Sequence, residues 1–242
     1  MSGHSKWSQI KHKKALTDAK KGKVFSKMSR EITTAAKNGS ANPEFNMRLR
    51  SAIDRARTAG IPKDNIERAL QKVAGGEENS LHEFIYEALG PGGISIIIEG
   101  ITDNTNRSFN EIKLLLAKHN AKIVEQGSLI WNFEKMGIII LDKEENKTIE
   151  KMEEIILDSR AVDFQETKDL WMVETSFASL AMVKKYLEER KIFVKEIKCY
   201  YKAKTTLDLK PEEKTCLDAL LDALENHDDV QEINTNLKNW LK

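Results

Sequence analysis

Between Ser2 and Arg30 the chain carries nine Lys or Arg, at positions 6, 11, 13, 14, 20, 21, 23, 27 and 30, against a single acid, Asp18. Cations packed this densely repel one another, and phosphates relieve that repulsion while releasing condensed counterions. The chemistry such a stretch supplies is polyanion binding, with nucleic acid as the favoured partner and an acidic protein surface as the alternative. Trp7 and His12 lie among the lysines. An indole either stacks on an unpaired base or ribose or anchors the arm to the rest of the protein. The candidate nucleic-acid-binding residues are Lys6, Trp7, Lys11, His12, Lys13, Lys14, Lys20, Lys23, Lys27 and Arg30, joined by Arg48 and Arg55 further on.

Other chemistry is sparse. There is no P-loop, GxSxG, HExxH or dinucleotide fingerprint. The five histidines, 4, 12, 82, 119 and 227, do not pair with one another or with cysteine at metal-ligand spacing. His227-Asp228-Asp229 reads as an acidic solvated loop rather than a cation site. Gly90-Pro91-Gly92-Gly93 offers backbone N–H groups to a phosphate in principle, but a hairpin turn accounts for it. Thr102–Arg107 sets polar side chains and an arginine where a strand feeds a helix. Asp103 or Asn104 suits the helix N-cap, and Asp103, Asn104, Asn106 and Arg107 form a candidate partner site. No catalytic residue, cofactor, metal or small-molecule substrate is expected.

The charge is segregated. Residues 1–79 hold 17 Lys or Arg against 8 acids, net +9, and the remainder holds 22 against 30, net −8, within a 242-residue chain of net charge +1. A cationic module joined to an acidic body fits that asymmetry. The basic start lacks the apolar run of a secretion signal, and no apolar stretch approaches the roughly 20 residues that span a bilayer. Cys199 and Cys216 read as reduced thiols in a cytoplasmic protein.

The elements that must position these residues follow from periodicity. Val24, Phe25, Met28, Ile32, Ala35 and Ala36 recur at helical spacing, with Lys20, Lys23, Lys27 and Arg30 opposite them. That stripe is expected to face solvent, so that changing it spares the core. Asn42-Pro43-Glu44 is expected to open a second helix carrying Phe45, Leu49, Ala52, Ile53 and Ala56 inside. Pro62 opens a third. Strands are expected over 84–89 and 94–98, a helix across Phe109–Leu116, and a strand over Ser128–Phe133. From Met136 the order βαββαβ suggests a ferredoxin-like unit, with its first helix over Thr148–Leu157. A helix over Pro211–Glu225 and a strand from Val230 close the chain. The fold class is α+β and multidomain. The proposed division is a basic arm and helical bundle over 1–79, a discontinuous α/β domain over 80–134 and 205–242, and an inserted ferredoxin-like domain over 135–204. The alternative is two consecutive domains with a helical tail.

MSGHSKWSQIKHKK, DAKKGKVFSKMSREI, NMRLRSAIDRAR, PKDNIERAL, YEALGPGG, ITDNTNR and GSLIWNFEKMG occur in this order, with DDVQEINTNL near the end. This series resembles the YebC family, which includes the mitochondrial translational activator of cytochrome c oxidase. Residues 145–204 carry little of the likeness. The resemblance implies three domains, two of them α/β with one inserted in the other, and no catalysis. It implies a probable DNA-binding transcriptional regulator or, alternatively, a ribosome-associated translation factor that binds RNA. The family's signature falls on Gly3–Trp7, Lys11, His12, Lys14, Asp18, Lys20, Gly22, Lys23 and Phe25. It continues through Pro62–Ile66, Gly90–Gly93, Thr102–Asn104, Asn106 and Arg107. Residues 120–126 depart from the family's glycine-richer approach to GSLIWNF.

Overall fold

The computed structural model describes residues 18–74 and 81–238. They form two compact units, one of the residues up to Phe133 together with those from Ala203 onward, the other Glu134–Lys202.

The first unit begins with three helices, α1 (Asp18–Lys37), α2 (Met47–Thr58) and α3 (Lys63–Ala74). Their apolar faces meet in a core of Ile32, Ala35, Ala36, Leu49, Ala52, Ile53, Ala56, Ile61, Ile66 and Ala69, flanked by Phe25 and Met28. The start of α2 differs from expectation. Asn46, not Asn42, caps it, accepting from the Leu49 N–H at 3.0 Å. Asn42-Pro43-Glu44 is a turn, in which the Asn42 side chain accepts from the Glu44 N–H at 2.9 Å. Phe45 therefore precedes the helix and is 80% exposed rather than buried.

A sheet of order β3-β1-β2-β8 follows, from β1 (His82–Leu89), β2 (Ser95–Thr102), β3 (Lys122–Ile123) and β8 (Val230–Thr235). α4 (Thr105–Lys118) and α7 (Pro211–Glu225) belong to the same unit, and Ile112, Leu116, Leu217, Leu220, Leu221 and Leu224 share one buried cluster with the sheet. β1 and β2 pair as a hairpin around Gly90–Gly93. Gly92 has φ +65°, and a Cβ there would stand 2.5 Å from Leu209 Cδ2, so a close approach to the α7 side requires the glycine. The expected strand over 128–133 is instead a loop and a 3₁₀ turn over Ile130–Asn132, with Phe133 opening the next strand.

The second unit runs β4 (Phe133–Asp142), α5 (Met152–Asp158), β5 (Asp163–Glu166), β6 (Leu170–Ser176), α6 (Leu180–Glu189), β7 (Val194–Ala203). Its strand order, β5-β6-β4-β7, is the ferredoxin-like arrangement. Ile139, Leu141, Val173, Val183 and Leu187 are central to its core. α5 starts four residues later than the periodicity suggests. Lys151 takes the left-handed φ of +56°, and Asn146 holds the preceding turn by donating to the Asp142 and Phe193 carbonyls. Mixed α and β elements with two antiparallel sheets make the fold α+β.

Candidate nucleic-acid interface

Of the residues read as phosphate-binding, Lys6, Trp7, Lys11, His12, Lys13 and Lys14 lie outside the described residues, as does the side chain of Lys20, whose backbone is in α1. The described part of the stripe is only partly open to solvent: Lys23 is exposed, whereas Lys27 and Arg30 are half-buried, and all three already have partners within the protein. The last carbonyls of a helix lack intrahelical donors and carry the negative end of its dipole. Lys23 Nζ donates to the Asn226 carbonyl at 2.9 Å and Lys27 Nζ to the Glu225 carbonyl at 2.8 Å, both at the end of α7. Lys23 also stands 3.8 Å from the Asp228 carboxylate. Burial of Lys27 lowers its pKa to about 8, against the pull of Glu225 and Asp228.

Arg30 completes the contact. It donates to the Ile101 and Asp228 carbonyls at 3.3 Å and pairs with Asp229 Oδ1. Asp229 is 2% exposed, which would be costly for a lone carboxylate. Its Oδ2 accepts from Ser108 Oγ at 2.5 Å, Arg107 Nη2 at 3.0 Å and Thr102 Oγ1 at 3.1 Å. Burial pushes this carboxyl up, but donors from Ser108, Arg107 and Arg30 outweigh it and hold the pKa at about 2. Gly100 makes room for the hub, since a Cβ there would collide with the Phe84 ring and the Asp229 carbonyl.

The second pair of candidates is also engaged. Arg48 pairs with Glu83, with one contact at 3.1 Å, and Arg55 pairs with Glu31 between helices of the bundle.

The Thr102–Arg107 segment divides. Asn104 is the N-cap of α4, accepting from the Arg107 N–H at 3.0 Å. Asp103 accepts from Arg107 Nη2 at 2.8 Å, so Arg107 bridges its own segment to Asp229. Asn106 is exposed. The residues that periodicity passed over here are Asp229, Thr102 and Ser108. The signal for Asp229 was present in His227-Asp228-Asp229, read as a solvated acidic loop, and Thr102 stood in the segment already singled out, without a partner assigned to it.

Two family models account for nearly all of the chain. Residues 5–76 match the TACO1/YebC protein N-terminal domain, and residues 81–237 match the TACO1/YebC second and third domain. The chain belongs to the TACO1/YebC family. Among its relatives, a probable transcriptional regulatory protein of Desulforamulus reducens is 42% identical over 98% of both chains. One of the same description from Dictyoglomus turgidum is 44% identical over 98% of this chain and 95% of its own. A crystal structure of a conserved hypothetical protein from Aquifex aeolicus superposes with a TM-score of 0.85, at 37% identity over 97% of each chain. The fold is thus that of a solved chain over nearly its whole length.

Two further features of this TACO1/YebC chain bear on ligands. Glu111, His227 and Asp229 bring potential metal-ligating atoms within 4.8 Å of one another. His227 Nε2 lies 3.1 Å from Glu111, and both oxygens of Asp229 are already committed to the donors above. A cation would have to displace two arginines, so the cluster suits an ion-pair network rather than a metal. Among the described residues no helix is long and apolar enough to cross a membrane.

Proposed function

We propose that this protein is a non-enzymatic, nucleic-acid-binding regulator of gene expression, and that its phosphate-binding charge sits in the arm over residues 1–17 rather than on the described face of α1. The carrying observation is the charge distribution. Residues 1–17 hold Lys6, Lys11, Lys13 and Lys14 and no acid, in a chain whose remainder after residue 79 is net negative. Relatives similar along the full chain bear the name probable transcriptional regulatory protein, which supports a regulatory role. Lys23, Lys27, Arg30, Arg48 and Arg55 already have protein partners. In this reading Lys23, Lys27, Arg30 and Arg48 tie the bundle to the rest of its unit, Arg55 ties two helices of the bundle together, and the arm meets phosphate.

The target is duplex DNA in the transcriptional reading and RNA on the ribosome in the translational one. Trp7 among the lysines favours RNA, because aromatic rings stack on unpaired bases. Sedimentation of a lysate through sucrose, with and without RNase or DNase, tests both. Co-migration with ribosomal particles that RNase abolishes supports translation, and release from heavy fractions by DNase alone supports transcription. Migration as free protein at low salt under every treatment contradicts nucleic-acid binding.

A further inference from the structure

The loop before β4 is built to hold one tryptophan in water. Trp131 is 68% exposed, yet almost every neighbouring backbone group is fixed. Glu87 is 2% exposed, and its carboxylate accepts from the N–H groups of Gly127, Leu129 and Ile130 at 2.5, 2.6 and 3.0 Å. On the other side, Asn132 exchanges side-chain hydrogen bonds with Thr205 at 3.1 and 3.0 Å, and its carbonyl accepts from the Lys204 N–H at 2.7 Å. A buried carboxylate spent on three N–H groups is a large investment for a surface loop.

The indole itself is constrained. Its Nε1–H donates to the Ser128 carbonyl at 2.7 Å, so the polar edge is satisfied within the loop. What remains for a ligand is the ring surface, which recognises another flat ring by stacking. Lys204 Nζ donates to the Trp131 carbonyl at 2.9 Å, which holds an ammonium with two further donors at the backbone of the same residue. A pre-set aromatic face on a residue that also holds a cation matches a base followed by its phosphate, and stacking of this kind is tolerant of sequence.

The geometry points to Trp131 as a stacking platform for an unpaired base of a single-stranded nucleic acid, with Lys204 facing the adjoining phosphate. It is a second contact, remote in sequence from the basic arm, and it rests on the nucleic-acid reading above. Trp131 is exposed, so its replacement leaves the fold intact, which a thermal melt checks.

The experiment is anisotropy binding of full-length wild type, Trp131→Ala, Trp131→Phe and the arm variant Lys11→Ala/Lys13→Ala/Lys14→Ala. The probes are one single-stranded RNA, one single-stranded DNA and one duplex DNA of matched length. Trp131→Ala is expected to weaken single-strand binding roughly five-fold or more, with an unchanged salt slope and unchanged duplex binding. Trp131→Phe, which keeps a ring, is expected to stay within about three-fold of wild type. Preference between the two single strands identifies RNA or DNA as the source of the base. If Trp131→Ala binds single strands like wild type while the arm variant loses affinity, the platform is wrong and the nucleic-acid reading stands. If wild type binds none of the probes, both are wrong.

Discussion

On α1, Lys23, Lys27 and Arg30 face away from the helix's apolar side, yet they end on carbonyls and a carboxylate of their own unit. In the loop before β4 a carboxylate is buried and a tryptophan is left in water. The two regions invert the usual assignment of charge to the surface and rings to the core. A basic stripe is a statement about what a helix can neutralise, and here the end of α7 and the Asp228-Asp229 turn supply what it needs. An exposed ring held by so many hydrogen bonds is a statement about what it is kept available for.

Breaking the first region at its hub gives the largest effect. Asp229→Ala leaves Arg30 and Arg107 facing a vacated buried site and is expected to cost about 3–5 kcal/mol, read by urea denaturation. Asp229 has its carboxyl held at about 2 against an ordinary 3.8. A depressed carboxyl contributes stability above its unfolded value and loses it as pH falls through its folded one. Asp229→Asn is therefore expected to flatten the loss of stability between those two pH values relative to wild type.

Breaking the second region at Glu87 comes next. Glu87→Gln keeps the volume, but it supplies one neutral oxygen and turns an N–H₂ toward backbone donors. Roughly 1–3 kcal/mol of destabilisation follows, and Trp131 loses its fixed pose, which its fluorescence anisotropy decay reports.

Lys27 sharpens the comparison by pH. Its folded pKa is about 8 and its ordinary value 10.5, so between these the unfolded chain binds more protons and stability rises with pH. Lys27→Met is expected to remove that rise, seen as the wild-type-minus-variant difference in unfolding free energy from pH 8 to 10.5. The smallest effect belongs to Arg48→Ala. Arg48 and Glu83 are both substantially exposed, and such pairs contribute under about 1 kcal/mol.

Much of the fold was legible because it rests on local periodicity. The βαββαβ order of the second unit follows from strands and helices whose apolar spacing is unambiguous, such as Gly137–Leu141 and Leu180–Leu187. The bundle core likewise followed from Ile32, Leu49, Ala52 and Ile66. What failed was set by distant partners. Residues 128–133 have strand-like composition, but Glu87, about forty positions earlier, takes the N–H groups that a ladder would have used. The fate of the α1 stripe was equally hidden, since its partners lie about two hundred residues downstream. Periodicity tells which side of α1 is polar and says nothing of what that side will meet.

The assignment of phosphate binding to the arm instead of the α1 face is tested most directly by salt dependence. Affinity for one single-stranded RNA is measured across salt concentrations for wild type, Lys11→Ala/Lys13→Ala/Lys14→Ala and Lys23→Ala/Lys27→Ala, each verified as folded at the working temperature. Each lost phosphate contact lowers the slope of log affinity against log salt by about 0.7 on single strands. The arm variant is expected to lose about two units of slope, and the α1 variant to keep the wild-type slope. A flattened slope in the Lys23/Lys27 variant with an unchanged one in the arm variant would place phosphate on α1 and contradict the account.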